Sequence, residues 1–179
     1  MDQPVRSTVA TWYARYGPGR LPGADHPDVG AGYAFATAAL LADVLFGLLL
    51  GALSLAFGDP FFGWLLGYSL AAVPFVVVAA FASGALCWRR IAARERFTGA
   101  FAGVVVTLCA YVLGDLLLVG ALVAWQGLVG PPPGGLGTDP LSVGRSLGGA
   151  AFLVTCPLTL PLGAVVGRAR ARASARDVT

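Results

Sequence analysis

Charge is almost absent from four long apolar runs in this 179-residue chain, at about 32–57, 61–88, 98–126 and 146–167. Only Asp43 and Asp115 interrupt them. A bilayer's hydrocarbon core takes about 20 apolar residues per spanning helix, so each run is long enough to cross. The first, GYAFATAALLADVLFGLLLGALSLAF, measures about 39 Å as a helix and can span with tilt. It is too long, too far along the chain and too acidic at Asp43 for the core of a cleaved signal peptide, so it is expected to remain as the first span. The sequence therefore predicts an all-α integral membrane protein, a four-transmembrane-helix bundle. With 57% apolar and 12% charged residues, a disordered or ordinary water-soluble chain is excluded.

The connections agree with four spans. Gly58, Asp59 and Pro60 turn the chain between the first two runs, WRRIAARER joins the second to the third, and GLVGPPPGGLGTDP forbids helix before the fourth. Three domains are expected: a leader at 1–30, a membrane domain at 31–167 and a basic tail at 168–179. Arginine sets the orientation, because cytoplasmic loops of membrane proteins hold the cationic excess. Arg6, Arg15 and Arg20 precede the first run, Arg89, Arg90, Arg94 and Arg96 follow the second, and Arg168, Arg170, Arg172 and Arg176 follow the fourth. Only Arg145 falls on the other side. Both termini are thus predicted to be cytoplasmic, in a multi-pass protein of the cell membrane.

Within the leader, Val5, Val9, Trp12, Tyr13 and Tyr16 recur at helical spacing, with Arg6 and Arg15 elsewhere on the wheel. This pattern predicts an amphipathic interfacial helix, ended by GPGRLPG. The arginines flank hydrophobic segments, where they meet anionic lipid headgroups rather than nucleic acid. All twelve cationic residues are arginine, a skew that reads as the coding bias of a GC-rich, prokaryotic genome and carries no mechanism.

Asp43 and Asp115 are the residues with most to say about function. An aspartate at mid-span costs about 2.5 to 3.5 kcal/mol on insertion scales, and must face the bundle interior or water. Counting from the span ends places Asp43 beside Thr107 and Thr159 in an inner polar layer. The same count places Asp115 beside Tyr68, Ser69, Ser54 or Gly51, and Thr155 in an outer one. Two roles fit. The carboxyls change protonation as an ion or solute passes, with Tyr111 and Thr107 one and two turns below Asp115 as relay groups; or they lock helices together and mark a contact with another membrane subunit. Arg145 is expected to reach the outer headgroups, near Asp139 or Asp59, rather than Asp115.

Small residues recur every four positions at Gly47 and Gly51, at Gly63 and Gly67, and at Gly99 and Gly103. Such pairs let helix backbones approach closely. Pro74, Pro157 and Pro161 fall inside spans, where each removes a backbone hydrogen bond and favours a kink. Cys87, Cys109 and Cys156 lack metal-ligand spacing and read as small apolar fillers. The lone His26 offers no haem pair, so neither metal nor cofactor is expected. No nucleophile with a base and no phosphate-cradling motif occurs, so the chain is not expected to be an enzyme.

These features predict a non-enzymatic accessory, assembly or scaffold subunit acting through helix association, with a membrane protein partner or a second copy. The alternative is a small proton- or cation-coupled carrier or channel built on Asp43 and Asp115.

Overall fold

A computed structural model describes residues 21–24, 26–92, 99–130 and 139–176. The sequence patterns before 21, including the interfacial helix and its arginines, lie outside the described residues. What is described is all-helical: α1 (Pro27–Phe57), α2 (Pro60–Ala92), α3 (Gly99–Val129) and α4 (Pro140–Arg176). All four are long and apolar enough to cross a membrane.

Three of the helices start at a proline, whose missing N–H costs nothing in the first turn and whose fixed φ already suits a helix. α1 thereby begins at Pro27, inside the segment read as leader. At α2 and α4 the residue before the proline is an aspartate that caps the helix. Phe61 N donates to Asp59 Oδ1 at 2.9 Å, and Leu141 N donates to Asp139 Oδ1 at 3.3 Å. Each carboxylate satisfies one of the amides a helix start leaves open. α1 and α3 both end on glycine in the left-handed region, Gly58 at φ 63 and Gly130 at φ 84. Their amides close back on Ser54 O and Gln126 O, both at 3.0 Å, a termination that glycine alone makes without strain.

α4 is longer than the fourth apolar run, continuing through Arg168, Arg170 and Arg172 to Arg176. Alternating Ala and Arg are strong helix formers, so the basic tail extends the helix out of the apolar zone. The helix also runs through Pro157 and Pro161, as α2 runs through Pro74. Pro157 leaves the carbonyl of Leu153 without its usual amide. The Cys156 thiol takes up that carbonyl in a weak bond of 3.9 Å.

The helices form two antiparallel hairpins, α1 with α2 and α3 with α4, which meet through α2 against α3 and α1 against α4. Packing concentrates at the arginine-rich end, where α1 and α3 start. Ala31, Phe35, Trp88, Ala102 and Val106 form the buried core there, with Cys87, Ile91, Val166 and Ala171 packed around it. Phe35 and Trp88 meet with ring centroids 6.2 Å apart. Toward the opposite end the side chains point outward: Leu55 is 90% and Leu128 85% exposed. Lipid tails are as apolar as leucine, so a membrane helix has no need to bury such residues in protein.

Candidate functional site: a glycine-lined seam between α3 and α4

Glycine brings α3 and α4 together. Gly99 and Gly103 of α3 lie against Gly163 and Gly167 of α4, so close that a Cβ at Gly99, Gly103 or Gly167 would collide with backbone of the other helix and one at Gly163 with the Thr107 side chain. Gly103 meets both Gly163 and Gly167, and Gly99 meets Gly167. In this antiparallel register, contacts advance four residues on one helix as they retreat four on the other. Every turn of α3 thus presents the same face to α4.

Thr107, Tyr111 and Asp115 continue that face. Thr107 Oγ1 donates to Gly103 O at 2.9 Å and occupies the space where a side chain on Gly163 would stand. One turn on, the Tyr111 ring packs edge-on against Phe152, centroids 5.0 Å apart. Its hydroxyl lies between two threonines of α4, 2.5 Å from Thr155 Oγ1 and 2.6 Å from Thr159 Oγ1. Both threonines also donate to carbonyls a turn back, Thr155 to Ala151 O at 2.7 Å and Thr159 to Thr155 O at 3.0 Å. At the next turn Asp115 presses its carboxyl against the α-carbon of Gly148, where any larger residue would stand. Asp115 Oδ1 is buried without a hydrogen-bond partner among the described residues.

The structure thus gathers Asp115, Tyr111 and Thr107 on one seam, with Thr155, Thr159, Gly148, Gly163 and Gly167 opposite. The last two stand four apart in LGAVVG, a spacing visible in the sequence once α4 is known to face Gly99 and Gly103. Thr155 and Thr159 do not fall into separate polar layers, because a tyrosine ring is long enough for one hydroxyl to reach both. The two aspartates stand equally far along their own helices. Consecutive α4 residues touch the first residue of α1 and of α3, Arg170 bonding Pro27 O at 3.1 Å and Ala171 packing on Gly99. Asp43 and Asp115 each stand sixteen residues in from those starts, about 24 Å along the helix.

Asp43 has its own setting on α1. Its Oδ2 is also buried without a hydrogen-bond partner among the described residues, and no bond joins it to the seam there. The other four glycines singled out by spacing are placed differently from Gly99 and Gly103. A Cβ on Gly47 would meet Leu66 Cδ1 at 3.6 Å and one on Gly63 would meet Ser54 Oγ at 3.6 Å, both ordinary contacts. Gly51 and Gly67 have open space. The tight crossing of α1 and α2 lies instead near the arginine-rich end. There Gly32 faces the carbonyl of Phe81, and Gly84 faces the backbone of Gly32.

Gly67 floors a shallow groove on α2 lined by Trp64, Tyr68 and Ala71, with the Trp64 and Tyr68 rings 4.3 Å apart. Between the hairpins, Cys87 of α2 and Cys109 of α3 are free, half-buried neighbours. No group of three or more His, Cys, Asp or Glu able to hold a metal ion occurs among the described residues. The chain matches no family model, no curated protein and no solved structure.

Proposed function

We propose that this chain is a non-enzymatic assembly or scaffold subunit of the cell membrane. Its termini face the cytoplasm, and it acts through helix association with another membrane protein or a second copy. Glycine is used in two opposite ways along the helices. Gly99, Gly103, Gly163 and Gly167 are filled by the facing helix, whereas Gly51 and Gly67, like Gly120, Gly127 and Gly149, have nothing within 4 Å of a would-be Cβ. The observation that carries the reading is the open groove at Gly67, flanked by Trp64 and Tyr68 on the outer surface of α2. In lipid, association depends on close backbone approach and on polar contacts. A glycine-floored groove supplies the first, and the Tyr68 hydroxyl at its edge is suited to the second. At the arginine-rich end the exposed Arg90, Arg168 and Arg172 suit anionic headgroups.

Photo-cross-linking in intact cells tests this reading. A photoreactive residue at position 67 is expected to give discrete protein adducts, of a partner or of a second copy. The same residue at Leu48 or Leu55, 67% and 90% exposed, should give lipid adducts. Lipid adducts alone at all three positions overturn the reading.

A further inference from the structure

Cys87 of α2 and Cys109 of α3 are neighbours at the junction of the two hairpins, and both thiols are free and half-buried. The register of the two helices accounts for this. A Cβ on Gly114 of α3 would meet Ala79 Cβ of α2 at 3.6 Å, and the two helices run antiparallel. Moving along α2 from Ala79 to Cys87 is therefore matched by moving back along α3 from Gly114 to Val106, one turn before Cys109. Cys87 packs on the buried core that contains Val106. Thiols so far apart in the chain form no motif; the crossing of α2 and α3 makes the pair.

Two thiolates are a selective set of ligands. Thiolate sites take zinc, iron–sulfur clusters and cuprous copper. Zinc completes four ligands and a cluster is held by four cysteines, whereas no group of three or more His, Cys, Asp or Glu able to hold a metal ion occurs among the described residues. Cuprous copper differs, because its filled d shell accepts two sulfurs in a line and asks for no third ligand. Two thiolates around one cuprous ion leave a single negative charge, which an apolar setting disfavours. Arg90, one turn on from Cys87, brings the balancing positive charge. Ala31, Phe35, Trp88, Ala102 and Val106 close the core on the Cys87 side of the pair, and an apolar shell of that kind limits solvent access to a metal.

We propose that Cys87 and Cys109 form a two-coordinate site for cuprous copper, joining the two hairpins. On binding, two S–H bonds break, two Cu–S bonds form and two protons leave to water. Copper stays Cu(I) and no sulfur is oxidised. The site lies at the arginine-rich end of α2, away from the Gly67 groove, so either assignment can fail while the other stands.

The experiment titrates the full chain in lipid nanodiscs, reduced and kept free of oxygen, with Cu(I) held by bicinchoninate, whose colour reports the copper it gives up. One copper per chain should transfer. Cys156→Ser should retain it, and Cys87→Ser and Cys109→Ser should each lose it. X-ray absorption of the loaded protein should show two sulfur neighbours and no third ligand. Arg90→Gln should weaken binding about 10-fold, the lower end of what an outer partner of a metal site contributes. Failure of the unmodified chain to draw copper from the chelator, equal loss in Cys156→Ser, or persistence in Cys87→Ser overturns the site. A third sulfur, or a nitrogen or oxygen ligand, overturns the two-coordinate geometry, and unchanged affinity in Arg90→Gln overturns the charge balance. The unmodified and Cys156→Ser chains keep both thiols, so the result stands even where a Cys87 or Cys109 variant fails to fold.

Discussion

Gly103 of α3 and Gly163 of α4 touch backbone to backbone, and a methyl group added to either would overlap the opposite helix or the Thr107 side chain. Gly103→Val should therefore destabilise the bundle by about 1–3 kcal/mol, the usual cost of overpacking a closed contact. Gly67→Ala, in open space, should be close to neutral. Denaturation of the two variants in mixed micelles checks the contrast, and equal midpoints would remove the seam as the closest contact of the fold.

Asp115 and Gly148 should prove energetically coupled. Gly148→Ala alone forces the carboxyl aside, while the same change beside Asp115→Ala meets a vacated space. Direct neighbours show coupling energies of about 0.5–3 kcal/mol in a double-mutant cycle. Additive effects would mean that the carboxyl does not lie over the glycine.

Asp59 and Asp139 should act as helix caps. Asp59→Ala and Asp139→Ala are each expected to cost about 1 kcal/mol, with Ser or Asn largely restoring the loss. Thermal unfolding of these variants, read by circular dichroism, provides the check. Failure of Ser to rescue would return these residues to a headgroup role.

Cys87 and Cys109 should be bridged by a short bifunctional methanethiosulfonate reagent in a Cys156→Ala background, because their free thiols are neighbours across α2 and α3. Mass spectrometry should find one linker joining the two residues. Two separate single-ended adducts would place the hairpins differently.

Much of the fold was legible because length and apolarity alone decide what can cross a bilayer. The ends were harder. Pro27 and Arg176 carry α1 and α4 beyond their apolar runs, since helix formation answers to capping and backbone preference as well as to hydropathy. The glycine spacings show where a local pattern stops being informative. Gly99 with Gly103 and Gly63 with Gly67 read alike in the sequence, yet one pair is packed against α4 and the other has ordinary contacts or open space. What separates them is the facing helix, which a period of four cannot name. Tyr111 and Thr107 were legible as neighbours of Asp115 on one face. Gly148 was not, because its importance lies in the side chain it lacks and in a carboxyl that arrives from another helix.

The bundle's closely packed core, with Phe35, Trp88 and Val106, lies at its arginine-rich end. Mechanically, that end is the joint of a pair of tweezers and the hairpin turns near Phe57 and Val129 are the tips. A small tilt at Trp88 becomes a larger displacement at the tips, some 40 Å away along α2.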